Sequence, residues 1–574
     1  MATFHVWSEA RSALQRHFGY DEFRPGQREA ILSVLRGRDT LIVMPTGGGK
    51  SLCFQIPALV LPGLTLVVSP LIALMLDQVN ALERRGVRAA LINSTLSSGE
   101  IEERLARAAA GQLDLLYVAP ERFGSPVFRR ALADMTIGLV AVDEAHCVSQ
   151  WGHDFRPSYL KLRDVWQEIG RPRVMALTAT ATPEVRRDIV EQLGLREARI
   201  IVRGFDRPNL RWTVRREEKL SEKGQLLISA LGQGDETAVV YASTRKVVEA
   251  ATELLRGAGI DAAAYHAGLP RERRARVQEE WTVGNLPVVV ATNAFGMGID
   301  KEDVRRVIHF QMPGSLEAYY QEAGRAGRDG EPAECTLLHS YRDRFTHEFF
   351  IRSSYPPRKI VRATFRALRD AVRAVGAPVT PAQFAARVKD AKSEGEIYSA
   401  LRILRDAGAV EDTAARSSCT VRWIASPAQL RQLLEYENGS EEQLAVQPVL
   451  EGLARISAQG ERRHLRLSRR EVARWTGGDF GAAREALDAL QRAGLIGWRD
   501  DGLRSGYVPS DLNLEPDALP VDWERVAARR ALEMRKLKRM ETYAYQTGCR
   551  RRYLLRYFGE EMPRGRCAGC DRCE

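Results

Sequence analysis

Cysteine is scarce in this chain, with 8 among 574 residues. That is too few for a secreted disulfide framework. Four of the eight crowd into the last 26 residues, so their use is local. Low-complexity tracts are missing. With 44% hydrophobic and 28% charged residues, this excludes a collagenous, mucin-like or wholly disordered chain. The first eleven residues have no apolar core and no small-residue cleavage pattern, so no signal peptide is expected. One uncharged run, from Ser51 to Leu76, has the length of a membrane span but is interrupted by Pro57, Pro62, Gly63 and Pro70. It reads as a helix, a turn, a buried strand and a new helix. The expectation is a cytoplasmic protein that makes no use of a membrane.

Acidic charge is also in deficit. The formal net charge is +11, which favours a polyanionic partner, nucleic acid first. The excess is uneven, with 14 Lys and Arg against 8 Asp and Glu from residue 521 onward. The length points to about four domains. Short apolar runs alternate with helical patterns in two series, which predicts parallel sheets covered by helices, in two lobes. The first series includes 41–44, 64–68, 113–118, 137–142 and 174–177; the second includes 237–241, 288–291 and 306–310. Asp206-Arg207-Pro208-Asn209 between them reads as a linker. After about residue 340 the strand pattern gives way to Arg-rich amphipathic helices. Two of these helices, at 393–407 and 481–493, run into candidate hairpins ending near 424 and 508, which predicts two winged helices.

Pro45-Thr46-Gly47-Gly48-Gly49-Lys50-Ser51 follows an apolar strand and opens a helix. Glycines let backbone N–H groups wrap phosphate oxygens at a helix N-terminus. Lys50 suits the β- and γ-phosphates, and the Ser51 hydroxyl suits Mg²⁺. The pattern departs from the full phosphate-loop signature, because Met44 stands at its first glycine. Asp143-Glu144-Ala145-His146 ends the strand at 139–142. Asp143 suits water-mediated Mg²⁺ binding, and Glu144 suits orienting and deprotonating the attacking water. Arg325 and Arg328, three apart in a Gly-rich stretch, share one face if the stretch is helical. They suit the positive charge that γ-phosphoryl transfer requires.

Together these motifs resemble the RecQ family of superfamily-two DNA helicases. Phe18-Gly19-Tyr20 with Phe23-Arg24-Pro25-Gly26-Gln27 resembles the family's adenine-reading motif, which implies that Tyr20 stacks on the base with Arg24 and Gln27 nearby. The runs 69–75 and 117–122 resemble strand-contacting motifs. The run 149–157, containing Trp151, His153, Phe155 and Arg156, resembles the aromatic-rich loop that couples DNA binding to hydrolysis. Tyr241–Arg245, Tyr265–Leu269 and Ala291–Asp300 resemble motifs of the second lobe. The resemblance implies ATP-driven 3′-to-5′ translocation on single-stranded DNA with separation of the duplex, in DNA repair or recombination and at the bacterial nucleoid. The implied cofactors are ATP, Mg²⁺ and Zn²⁺. The implied partners are single-stranded and duplex DNA, and no protein partner is indicated.

Cys549, Cys567, Cys570 and Cys573 have a spacing that suits four thiolates around tetrahedral Zn²⁺; an iron–sulfur cluster is the competing use. The surrounding sequence resembles the RecQ zinc module, here at the far end of the chain. The family places that module directly after the second lobe and before one winged helix. Cys53, Cys147, Cys335 and Cys419 are scattered and read as packing residues. The expected architecture is therefore α/β. Two RecA-like lobes (1–205 and 206–340) precede a helical region with a candidate winged helix (341–430). A second candidate winged helix (431–520) and the zinc module (521–574) complete it. Two other functions compete: an RNA-stimulated ATPase, and a winged-helix regulator with a vestigial ATPase. The aromatic-rich loop and the cysteines weigh against the first, and intact Lys50, Glu144, Arg325 and Arg328 against the second.

Overall fold

Buried β-rich runs of four to seven residues become the strands of two parallel sheets. In a computed structural model, the described residues are 2–573 apart from Thr46, 94–95, 97, Gln150, 152–154, 233–235, 297–300, 414–417, 427–428, 430–440, 458–462, 477–479, 501–505 and 563–564. The first sheet contains β1 (Thr40–Val43), β2 (Leu64–Val68), β3 (Ala89–Ile92), β4 (Leu115–Val118), β5 (Ile137–Val142), β6 (Arg173–Thr178) and β7 (Arg199–Val202). Its order is β3-β4-β2-β5-β6-β1-β7, parallel throughout. The second sheet contains β8 (Leu210–Arg216), β9 (Ala238–Tyr241), β10 (Ala262–Tyr265), β11 (Val288–Ala291), β12 (Arg306–His309) and β13 (Ala333–His339). Its order is β10-β11-β9-β12-β13-β8, again parallel. Strands such as Leu41-Ile42-Val43 and Val288-Val289-Val290 have no exposed surface, because helices cover both faces.

The chain divides into two compact units. Met1–Glu348 and Leu532–Glu574 form the first, and Phe349–Ala531 forms the second. The cysteine-bearing segment therefore belongs to the same unit as the two sheets, although 183 residues of chain intervene. Its late place in the sequence is an effect of that insertion.

The second unit holds two apolar cores. One gathers Val361, Phe365 and Leu368 with Leu401, Leu404 and Val410. The other gathers Val421 and Trp423 with Leu453, Val472, Leu487 and Ile496. Helices Glu394–Asp406 and Phe480–Arg492 stand where the periodicity puts them, but the expected local hairpins do not form. Strand β14 (Val410–Asp412) pairs with β18 (Tyr507–Pro509), about a hundred residues on. Strand β15 (Ser418–Trp423) pairs with both β16 (His464–Ser468) and β17 (Ile496–Asp500). Burial explains the choice. Cys419, Val421 and Trp423 alternate onto one face and enter the second core, whereas Val410 enters the first. Both sheets thus join strands from either side of residue 430, so a division there cuts two ladders. Among the described residues, no helix is long and apolar enough to cross a membrane.

Candidate functional site

In a parallel sheet, loops leaving the carboxyl ends of the strands gather at one edge, where ligands bind. Here β1 leads into the phosphate loop, β5 into Asp143-Glu144, and β6, lying between them, into Thr178-Ala179-Thr180. Gly47 and Gly49 adopt positive φ (79° and 72°), which keeps the loop tight before helix Leu52–Val60. Lys50 is half-buried, and its Nζ donates to the carbonyls of Met44 (2.9 Å) and Pro45 (3.1 Å). Burial lowers its pKa, opposed by the charges of Glu144 and Asp143 and reinforced by Arg328. The Ser51 hydroxyl accepts from Gln78 Nε2 at 3.1 Å. Thr46, expected in the loop, lies outside the described residues.

Arg24 and Gln27 brace the same loop. Arg24 donates to the Gly47 carbonyl at 2.9 Å and Gln27 to the Gly49 carbonyl at 3.1 Å, while the Arg24 N–H donates to Gln27 Oε1. Tyr20 is 54% exposed, so its ring is open to a stacking partner.

The acidic pair is enclosed. Burial first, then the neighbouring charge of Glu144, pushes the Asp143 carboxyl up, against the pull of Lys50. Burial acts on Glu144 in the same direction, but the hydrogen bond and charge of His146, with Lys50 and Arg156, hold it below its ordinary value. His146 Nδ1 lies 2.9 Å from Thr178 Oγ1 and 3.2 Å from Glu144 Oε2, which ties the Glu144 carboxylate to the end of β6. Lys50 acts on both carboxyls, and His146 and Arg156 act on Glu144 as well. The Ser51 hydroxyl and the Asp143 carboxylate are oxygen donors of the kind Mg²⁺ takes.

The aromatic loop follows directly. Trp151 is 43% exposed and is not a core anchor. Its N–H donates to Ser149 Oγ, which itself donates to Asp188. Arg156 donates to the Pro70 carbonyl at 3.2 Å, which links this loop to the first strand-contacting motif. Phe155 is half-buried, and His153 lies outside the described residues.

The two arginines do not share a helix face. Helix Leu316–Ala323 ends before them, and Gly327 at φ 53° turns the chain. Arg328 reaches the phosphate loop, with Cγ 3.5 Å from where a Cβ on Gly47 would stand. Arg325 is buried, with a guanidinium nitrogen 2.9 Å from where a Cβ on Gly296 would stand. A cleft of about 350 Å³ separates the two sheets here. Its walls include Arg24, Met44, Gly48, Arg203, Arg207 and Arg328.

Arg203, Arg207 and Asn209 escaped sequence reasoning. The stretch read as a linker clamps the loop that carries Arg328: Arg207 donates to the carbonyls of Ala326 (2.9 Å) and Gly327 (2.6 Å), and Asn209 to those of Gly327 and Glu331 (both 2.9 Å). Multi-donor side chains flanking a proline between two sheets are the signal that could have revealed it.

The Sγ atoms of Cys549, Cys567, Cys570 and Cys573 lie within 4.8 Å of one another, those of Cys549 and Cys570 at 4.0 Å. Tetrahedral Zn²⁺ with Zn–S near 2.3 Å requires S–S edges of about 3.8 Å, so the cluster fits the ion. Cys549 caps helix Arg550–Tyr557, its Sγ accepting the Arg552 N–H. The module docks on the free edge of β8, where Trp212 N–H donates to the Gly569 carbonyl (3.0 Å) and Asp571 N–H to the Trp212 carbonyl (3.1 Å). The other four cysteines are buried.

Comparison with known proteins agrees with this geometry. Residues 24–189 match the DEAD/DEAH box helicase family, 222–330 the helicase conserved C-terminal domain, and 517–574 the RecQ zinc-binding family. The ATP-dependent DNA helicase RecQ of Bacillus subtilis is 48% identical over 349 residues, covering 60% of this chain and 58% of that protein. RecQ of Pasteurella multocida is 44% identical, covering 62% and 56%. The probable ATP-dependent DNA helicase RecS of Bacillus subtilis is 42% identical, covering 58% of this chain and 67% of that protein. The matched region spans a little over half the length of the two RecQ relatives. On these matches, and on the four-cysteine module docked beside two parallel-sheet lobes, the chain belongs to the RecQ helicase family.

Proposed function

We propose that this chain is an ATP-dependent DNA helicase that translocates 3′ to 5′ on single-stranded DNA and separates duplexes during repair or recombination. One observation carries the reading: a glycine-rich phosphate loop, a buried carboxylate pair and an arginine from the other sheet converge in one unit. Lys50 and Arg328 neutralise the γ-phosphoryl oxygens, with Arg325 behind them. Ser51 and Asp143 would hold Mg²⁺, which would supply positive charge to the phosphates during transfer. Glu144 takes a proton from water, the water oxygen attacks the γ-phosphorus, and the bond to the β–γ bridging oxygen breaks to release ADP and inorganic phosphate. Tyr20, Arg24 and Gln27 receive the base, and the backbone at Gly47, Gly48 and Gly49 cradles the phosphates. Loss of the γ-phosphate releases contacts across the cleft and lets it reopen. Trp151, with Phe155, His153 and Arg156, reports a bound base to Glu144, since Arg156 touches the strand-contacting motif and its charge acts on that carboxylate. A DNA substrate would put its work in the cytoplasm, at the nucleoid. ATP hydrolysis measured with single-stranded DNA and with RNA of the same sequence tests the substrate. Stimulation by DNA supports the reading, and stimulation by RNA alone or by neither contradicts it.

A further inference from the structure

The loop bearing Arg328 is a run of tight turns between a helix and a strand. Helix Leu316–Ala323 has ended, Gly327 is at positive φ, and the next strand begins only at Ala333. Its backbone N–H groups at Gly327 and Arg328 donate to the carbonyls of Val304 (2.9 Å) and Glu302 (3.0 Å). Its carbonyls point the other way. Those of Ala326 and Gly327 are held by Arg207, at 2.9 and 2.6 Å, and that of Gly324 lies at 3.5 Å. One planar guanidinium with fixed donor directions thus grips the two peptides just before Arg328.

Arg207 is itself held from behind. Arg551 Nη2 lies 3.2 Å from the carbonyl of Arg207, 3.0 Å from that of Pro208 and 2.8 Å from that of Leu210. Another nitrogen of the same guanidinium reaches the carbonyl of the zinc ligand Cys567 at 3.4 Å. Arg551 is buried, and a Cβ on Gly569, inside the cysteine cluster, would stand 2.6 Å from it. From metal-binding loop to Arg328 the chain of contacts is therefore continuous through Cys567, Arg551, the 207–210 backbone, the Arg207 side chain and Gly327, and Arg328 lines the same cleft as Gly47.

We propose that Arg207, braced by Arg551 of the zinc module, is a positioning residue that sets Arg328 for γ-phosphoryl transfer. The proposal rests on the assignment of Arg328 to ATP hydrolysis. A displacement of about 1 Å in a catalytic group costs on the order of 100-fold in rate. Releasing two carbonyls beside Arg328 is expected to act at that scale on kcat. It leaves ATP affinity unchanged, because the donor atoms of the phosphate loop do not move.

A double-mutant cycle tests this on the zinc-loaded 574-residue chain. The variants are Arg207→Gln, Arg207→Lys, Arg328→Ala and Arg207→Gln with Arg328→Ala. DNA-stimulated kcat and KM are read beside the affinity for a fluorescent ATP analogue, zinc content and Tm. Arg207→Gln is expected to lower kcat on the order of 100-fold with nucleotide affinity and zinc retained. Arg207→Lys, which keeps one donor, recovers part of it. In the absence of Arg328, Arg207→Gln has no further effect, as expected for groups acting as one unit. Independent losses that multiply in the double variant overturn the proposal, and so does weakened binding of the analogue, which would put Arg207 on the nucleotide. Loss of zinc or of the folded state in Arg207→Lys as well as Arg207→Gln also overturns it, by making the residue merely structural. A normal kcat in Arg328→Ala alone is a different failure, that of the underlying assignment.

Discussion

Phe205 and Phe558 stack face to face, with ring centroids 4.6 Å apart and an interplanar angle of 14°. Phe205 lies between the two sheets in the chain, and Phe558 ends the helix capped by Cys549. Tyr320 packs on both rings, and its hydroxyl donates to the Phe205 carbonyl at 2.7 Å. The Phe205 N–H donates to Glu560 at 2.9 Å, and Arg186, from helix Pro183–Leu193, donates to the Phe558 carbonyl. The cysteine-bearing segment is thereby fastened to both lobes. Phe558→Ala removes a fully buried ring and is expected to destabilise the protein by about 3–5 kcal/mol. Guanidinium denaturation followed by tryptophan fluorescence checks it. An unchanged midpoint would mean the stack contributes nothing.

Lys50→Ala removes a cation whose charge acts on both carboxyls of the acidic pair and is expected to abolish DNA-stimulated ATP hydrolysis. Glu144→Gln keeps the shape and loses the base. It is expected to retain nucleotide binding while kcat falls by at least about 100-fold. Steady-state hydrolysis beside equilibrium binding of an ATP analogue separates the two effects. Turnover at the normal rate in Glu144→Gln would remove that residue from the mechanism.

Trp151 has an exposed ring on a loop hydrogen-bonded to Asp188 through Ser149. Stacking on a base contributes about 1–3 kcal/mol. Trp151→Ala is expected to leave Tm and DNA-free hydrolysis unchanged while DNA stimulation drops several-fold. Equal stimulation in variant and parent would show that the ring takes no part in coupling.

Gly327 cannot carry a side chain. A Cβ there would stand 2.5 Å from Asn209 Nδ2 and 2.7 Å from the Glu331 carbonyl, at a φ of 53°. Gly327→Ala is expected to shift the loop and lower kcat with little change in KM. A variant with normal kcat would mean the loop tolerates displacement.

Metal analysis is expected to find one zinc per chain. Cys570→Ser, or a strong chelator, should lower Tm, since the ion supplies folding free energy to a segment with a small core of its own. A metal-free preparation with unaltered Tm would contradict this.

The phosphate loop and the acidic pair were legible because their chemistry imposes a residue order directly after a buried strand. The cysteines were legible for the same reason, as four thiolates must converge. The linker was not. Arg207 and Asn209 act by donating to carbonyls more than a hundred residues away, and such pairing leaves no periodicity in the sequence. The basic excess from residue 521 onward is partly turned inward. Arg550 has no exposed surface and pairs with Asp571, and Arg551 binds backbone carbonyls, so neither faces outward to phosphates. Net charge counts side chains without showing which way they point. The hairpins beyond Val410 failed because turn chemistry is local, whereas β14 and β15 choose partners by the core each one enters.

Strand separation is the most direct test of the account. A duplex with a single-stranded 3′ tail, the same duplex with a 5′ tail, and a blunt duplex are each offered with ATP and Mg²⁺, with Glu144→Gln as the control. The account predicts unwinding of the 3′-tailed duplex by the parent protein, little or none of the other two, and none by Glu144→Gln. Unwinding that prefers the 5′ tail, or ATP hydrolysis with no strand separation on any of the three, would contradict it.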